Sequence, residues 1–368
     1  MIQYLYAIIL GIIEGFTEFL PISSTGHLIL VNQFISFDKQ FTLLFDIVIQ
    51  LGAILAVAVY FAKRLWPFTK DRIKNKEILN VWYKTIIGVL PAIIFGALFA
   101  GKIEEKLFNP WVVAIALLLG GLIILIIERK NLKPKITSIN SLSFKTAFLI
   151  GLVQCLSMIP GTSRSAATII GAMIFGASRI VATEFSFFLA IPTMLAASVY
   201  SLFKYRALLN THQISVLAVG FAISFIVALA VIKFFIKYVQ NNNFKIFGYY
   251  RVILAILIIA YFLAISNKLT ILNTLNFLVS GFLGYIIGRW ADNYLNIWLK
   301  DPAWAPHHWI YGLILMVIGI FCFKNNLEIW IFSFGLGLFI SDLKDFLDLK
   351  LFEPDGKSEE TIKFWHID

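Results

Sequence analysis

Glu14-Gly15-Phe16-Thr17-Glu18-Phe19-Leu20-Pro21-Ile22-Ser23-Ser24-Thr25-Gly26-His27 and, much later, Pro160-Gly161-Thr162-Ser163-Arg164-Ser165 are two polar stretches set in an otherwise oily chain. Carboxylates, an Arg and a His inside hydrocarbon-facing segments cost a few kcal/mol each, so by default they line a cavity or pathway instead of facing lipid. The residue types also belong together. Carboxylates suit a divalent cation, Arg suits phosphate, and hydroxyls with a His suit transfer chemistry.

The surroundings are those of a membrane protein. Of 368 residues, 60% are hydrophobic and 14% charged, and the mean hydropathy is +0.85, values outside the globular range. Apolar runs near 42–62, 85–100, 111–127, 183–203, 214–236, 251–266 and 271–288 fall in the span of roughly 17–25 residues that crosses a bilayer as a helix. The start Met1-Ile2-Gln3-Tyr4 has no basic region and runs into Glu14, so no cleavable signal peptide is expected. Cys155 and Cys322 lie in apolar segments without ligand spacing and read as core thiols. The net charge of +10 belongs to loops rather than to a nucleic-acid surface, and no nucleic acid is expected as a partner.

The basic residues give an orientation. Lys63, Arg64, Lys70, Arg72, Lys74, Lys76 and Lys84 stand against only Asp71 and Glu77, and a second basic group holds Arg129, Lys130, Lys133, Lys135 and Lys145. Both segments read as cytoplasmic. Two spans separate them, joined by a neutral outside loop with Lys102, Glu104, Glu105 and Lys106. By this count the Glu14 to His27 stretch is entered from outside and the Pro160 to Ser165 stretch from the cytoplasm.

A repeat supports the count. Gly11-Ile12-Ile13-Glu14, Leu20-Pro21 and Ser23-Ser24-Thr25 correspond, with one residue of slippage, to Gly151-Leu152-Val153-Gln154, Ile159-Pro160 and Ser163-Arg164-Ser165. Each copy is followed by three spans, and an odd number of crossings places like elements in opposite orientation. The expected fold is an all-α integral membrane protein: an inverted repeat, about 1–130 and 145–266, of one re-entrant helical hairpin plus three transmembrane helices, with a C-terminal membrane extension. Pro and Gly break each hairpin partway across the membrane, where only protein or water can satisfy the freed backbone. The plainer alternative is a pair of Pro-kinked spanning helices with polar packing residues.

Glu14 and Glu18 lie four apart and share a helix face, where their charges repel unless a cation or a proton intervenes. Hard oxygen ligands favour Mg²⁺ or Ca²⁺ over zinc. A ladder to Lys or Arg is the commoner fate of an acidic pair, but no basic residue lies within a helical turn. Arg164 follows Pro160-Gly161 at the head of an apolar helix, so its guanidinium, the flanking Ser163 and Ser165 hydroxyls and free N–H groups make an anion site. The plain reading of Arg164 is a clamp on backbone carbonyls. Ser24 and His27 are close enough for proton transfer as a Ser attacks, although such a pair is weak evidence by itself.

The two polar stretches resemble the signature motifs of the bacterial undecaprenyl-diphosphate phosphatase, or bacitracin-resistance, family. The likeness extends over about residues 1–266, including Val48-Ile49-Gln50-Leu51-Gly52 and Ala182-Thr183-Glu184-Phe185-Ser186-Phe187. It implies hydrolysis of undecaprenyl diphosphate to undecaprenyl phosphate and inorganic phosphate, which recycles the lipid carrier of cell-wall synthesis, with a divalent cation. Under it, Glu14 and Glu18 are the metal or acid/base pair. Ser24 and His27 are the nucleophile and proton-transfer residues, and Arg164 with Ser163 binds phosphate. Ser23, Thr25, Gly161, Thr162 and Ser165 complete the substrate-binding set. Position 46 is Asp where Glu is commoner in the family, which leaves its role open. Ser24 either becomes phosphorylated or orients water. The expected setting is the bacterial inner membrane, with the site facing outward, a polyprenyl diphosphate as substrate, and a second copy of the chain as an open option. The alternative function is a polyprenyl-phosphate transporter or flippase, since inverted repeats with broken helices also build carriers.

Residues 267–368 resemble no known family. They hold an apolar run to Arg289, the stretch Asp301-Pro302-Ala303-Trp304-Ala305-Pro306-His307-His308-Trp309, two short runs at 309–323 and 327–341, and Asp342, Asp345 and Asp348. The short runs suit a tight hairpin or tilted pair. The aspartates with His307 and His308 read either as a metal site or, preferentially, as a solvated interfacial cap. Glu353 to Glu360 reads as a polar, flexible tail.

Overall fold

The computed structural model describes residues 1–205, 210–263, 271–291, 307–322 and 327–347. Polar residues just ahead of apolar runs start the helices. The Ser23 side chain caps α2 (Ser24–Val31), Asp38 caps α3 (Lys39–Tyr60) and Asp71 caps α5 (Arg72–Leu107). Asn109 with Pro110 starts α6 (Pro110–Arg129), Ser143 starts α7 (Phe144–Gln154) and Ser163 starts α8 (Arg164–Ile174). A capping box of Asn210 and Gln213 starts α10 (Thr211–Asn241). Each such oxygen satisfies N–H groups that a helix start leaves open. The remaining helices of the first part are α1 (Ile2–Thr17), the short α4 (Ala62–Leu65), α9 (Arg179–Tyr205) and α11 (Lys245–Leu263).

Among the described residues, six helices are long and apolar enough to cross a bilayer: Gln40–Tyr60, Arg72–Phe99, Pro110–Arg129, Arg179–Val199, Thr211–Asn241 and Lys245–Phe262. The chain is an all-α, multi-pass membrane protein. No strand occurs among the described residues, only an isolated bridge between Ile136 and Ala177.

Two features differ from the sequence reading of the loops. Helix α5 runs on to Leu107, so residues 102–106 are helical and form no loop. Lys84 is buried inside α5 and donates to the carbonyls of Ile139 and Asn140, at 3.2 and 2.8 Å. It serves as a strut between the two basic segments, because a buried ammonium must find acceptors once water is gone.

The chain divides into two compact units, Met1–Ile258 and Ile259–Asp368. In the first, α10 packs on α1 and α3, α9 on α3 and α5, and α7 on α5. Small residues set the spacing, as expected where lipid supplies no hydrophobic drive between helices. At Gly151 an added Cβ would lie 2.0 Å from the Gly88 carbonyl oxygen, so α7 and α5 meet backbone to backbone. The core around this frame is aromatic, with Phe19, Phe61, Phe187 and Phe188 in edge-on contact. The second unit contains α12 (Ile271–Trp290), α13 (His308–Cys322), α14 (Leu327–Ser341) and α15 (Leu343–Leu347). Helices α13 and α14 run antiparallel, since Gly312 faces Gly335 and Phe339 while Gly319 faces Glu328 and Phe332. Asp301 to Pro306, Asp348 and the tail from Glu353 to Glu360 lie outside the described residues.

Candidate active site

Both polar motifs are turns between two helix segments. Helix α1 gives way after Thr17, and α2 begins at Ser24. Helix α7 passes through a 3-10 turn, Cys155–Met158, and α8 begins at Arg164. The turns end alike. Ser23 and Ser163 hold φ of 73° and 69°, and each Oγ accepts an N–H three residues on, from Gly26 at 3.2 Å and from Ala166 at 3.2 Å. A left-handed serine is strained by ~1–3 kcal/mol and persists only where its surroundings hold it, a condition common at functional sites. Gly161, at φ 90°, has no room for a side chain because a Cβ would lie 2.5 Å from the Val113 carbonyl oxygen.

The turns meet on Glu18. Its Oε2 accepts the Ser24 hydroxyl at 2.5 Å, and its Oε1 lies 3.4 Å from Arg164 Nη2. Arg164 also donates to the Ser186 carbonyl at 2.9 Å and lies over the Phe19 ring. Ser165 Oγ donates to the Leu20 carbonyl at 2.8 Å, binding the second turn to the first, and contacts Ser163 Oγ at 3.0 Å. Thr168 adds a bond to Ser186 Oγ at 2.6 Å. Glu18 remains helical and donates its N–H to Glu14, which keeps the two acids on one face as their spacing requires. Thr25 and Thr162 are half-buried beside these groups.

Glu14 is fully buried, and neither carboxylate oxygen has a hydrogen-bond partner. Asp46 accepts from Asn32 through Oδ2 at 3.1 Å, and its Oδ1 is likewise unpartnered. Glu14 and Asp46 thus carry orphaned oxygens, whereas both Glu18 oxygens are engaged by Ser24 and Arg164; hard oxygen donors without a thiol suit a hard divalent cation.

His27 is placed differently from what its spacing to Ser24 suggests. Its Nδ1 lies 2.8 Å from the Ser23 carbonyl, its Nε2 lies 2.6 Å from the Tyr250 hydroxyl, and its ring stacks on Tyr250 at 5.6 Å. A carbonyl only accepts, so Nδ1 carries a proton; when the ring is neutral, Nε2 accepts from Tyr250. The Ser24 proton goes to Glu18 instead.

Arg251 did not stand out in the sequence. Fully buried in α11, it donates to the carbonyls of Pro21 (3.3 Å) and Gly161 (3.0 Å), one from each turn, and to Leu117 (3.3 Å) and Ala116 (3.0 Å) of α6. It passes over Gly120, where a Cβ would lie 2.3 Å from Nη2. The available signal was an ionisable residue inside an apolar helix, the rule already applied to Arg164. Arg251→Met should strip four carbonyls of their donor and cost about 3 kcal/mol or more. Thermal unfolding in detergent measures it, and an unchanged midpoint would contradict this bridging role.

A cavity of about 420 Å³ lies elsewhere, lined by Glu128, Arg179, Ser178, Asn241 and Asn243 among others. None of the residues above lines it. Arg179 there forms a two-bond pair with Glu128, which also accepts the Phe244 N–H, and this ties α6, α9 and the α10–α11 turn together.

The family model for Bacitracin resistance protein BacA matches residues 7–257. An undecaprenyl-diphosphatase of Lachnoclostridium phytofermentans is 49% identical over 269 residues, covering 71% of this chain and 98% of that protein. Undecaprenyl-diphosphatase 1 of Clostridioides difficile is 48% identical over 266 residues (71% and 97%), and the undecaprenyl-diphosphatase of Limosilactobacillus fermentum is 48% identical over 276 residues (73% and 100%). Both polar turns and Arg251 fall inside the matched region, and the chain belongs to the bacitracin resistance protein BacA family.

Proposed function

We infer that the chain hydrolyses undecaprenyl diphosphate to undecaprenyl phosphate and inorganic phosphate. The observation that carries this reading is the junction at Glu18, where an acid from one turn holds a serine proton and faces an arginine from the other. Its family membership and its likeness to relatives named undecaprenyl-diphosphatase support the same conclusion.

Phosphoryl transfer demands positioning and charge neutralisation more than covalent help. Ser24 is the nucleophile in this reading. Its Oγ attacks the terminal phosphorus, its proton passes to Glu18, and the bond from that phosphorus to the bridging oxygen breaks, releasing undecaprenyl phosphate. Water then cleaves the phosphoserine to give inorganic phosphate. Arg164 holds the terminal phosphate, aided by Ser163, Ser165 and Thr162. The α2 and α8 starts, with Ser23, Thr25 and Gly161, direct N–H groups and hydroxyls to the same place. His27, fixed by Tyr250, positions the Ser23 turn. Glu14 and Glu18 would hold a divalent cation, Mg²⁺ or Ca²⁺, which when bound offsets the charge of the diphosphate. Phosphate release from undecaprenyl diphosphate by purified protein in detergent tests the reading. No release by folded protein supplied with Mg²⁺ or Ca²⁺ would overturn it.

The two halves are inverted repeats in this reading. The pairing of α1 with α10 and of α7 with α5 exchanges equivalent elements of the halves, as a two-fold relation would. The location is the inner membrane, with the site facing outward. Single cysteines at Asn75 and Asn131, in a chain lacking Cys155 and Cys322, should be shielded from impermeant thiol reagents added outside intact cells, whereas one at Asn109 should react. Equal labelling of all three would remove the inverted arrangement.

A further inference from the structure

Outside the BacA-matched region, the two ends of the α13–α14 hairpin bring together His307, Asp342 and Asp345. Sequence spacing favoured a solvated cap there, but all three residues are buried. His307 Nδ1 lies 3.2 Å from Asp345 Oδ2 and 3.7 Å from Asp342 Oδ2, and the ligand atoms of the three residues lie within 4.8 Å of one another. Among the described residues, aromatic side chains adjoin the cluster in sequence. Trp309 and Phe339 pack on Phe346 at 5.3 and 4.8 Å.

We propose that this cluster is a second metal site, binding a first-row divalent transition ion of the zinc class and clasping the open end of the hairpin. A buried imidazole and two buried carboxylates, each able to give one ligand atom, are a donor set that such an ion takes. The geometry is compatible, because tetrahedral ligands at Zn bond lengths of about 2.0–2.1 Å lie about 3.3 Å apart, near the 3.2 Å between His307 and Asp345 and a small closure from the 3.7 Å between His307 and Asp342. An imidazole nitrogen in the set favours zinc over Mg²⁺ or Ca²⁺, which sets this site apart from the all-oxygen cluster at Glu14. The backbone N–H of Trp309 donates to Asp342 Oδ2 at 3.2 Å, an outer bond that orients a ligand carboxylate. Three protein ligands leave the fourth position to water.

The clasp draws its ligands from positions before α13 and after α14, so binding should stabilise the pairing of these helices by linkage. The test uses the full-length protein in detergent, freed of metal by chelation and then equilibrated with Zn²⁺. The unmodified chain should bind one zinc more per chain than His307→Ala or Asp345→Asn, and its melting temperature should rise with zinc while theirs does not. A chain carrying Glu14→Gln and Glu18→Gln should still bind that ion. Where a variant fails to fold, Co²⁺ titration of the unmodified chain decides: a strong tetrahedral ligand-field band supports the site. Absence of that band, or equal zinc binding by folded His307→Ala, would overturn the proposal and leave an ion pair only.

Discussion

Arg164→Lys should lower phosphate release by about 100-fold or more, the scale of losing a group that stabilises developing charge. The guanidinium reaches Ser186, Glu18 and the site with one planar fork and lies over Phe19. Lysine keeps the charge but concentrates it at one point, so it cannot hold Glu18 and grip a phosphate bidentately. The positive charge beside Glu18 remains, so the protein should fold and elute from a sizing column as the unmodified chain does. Phosphate release near the unmodified rate by such a folded variant would contradict the assignment.

Glu18→Gln should have an effect of similar or greater size, for a reason the contacts specify. Arg164 only donates, so the Gln carbonyl must face it and the amide NH₂ must face Ser24. That reverses the Ser24 bond: the hydroxyl becomes the acceptor and loses its base, a change of about 10²–10⁴ in rate. Chelation should also stop turnover of the unmodified chain, and Glu14→Gln should raise the Mg²⁺ concentration needed for half activity. Activity indifferent to chelator would leave Glu14 and Glu18 as acid/base groups only. Full activity of Glu18→Gln would remove Ser24 activation from the mechanism.

Much of the frame was legible in the chain. The run read near 111–127 is the helix Pro110–Arg129, and that near 214–236 is Thr211–Asn241, longer because its ends carry polar caps that a hydropathy window averages away. Likewise Lys84 counted as a loop charge because its type says cytoplasm, whereas its height in α5 brings it under the Ile139–Ser141 turn. The breaks at Pro21 and Pro160 were legible because proline and glycine act locally, through φ and a missing donor.

The sequence by itself determined the helical class, the membrane setting, the two polar turns and the chemical types gathered in them, since hydropathy, periodicity and caps act within a few residues. Only the tertiary structure decided the partners. Glu18 meets an arginine 146 residues away, Arg251 reaches Pro21 across 230, His27 turns to Tyr250 and not to Ser24, and His307 meets Asp342 and Asp345 across the open end of an antiparallel hairpin. Periodicity says which face of a helix is buried but not which helix covers it. A polar group inside an apolar face therefore announces that a partner exists, and packing alone names it.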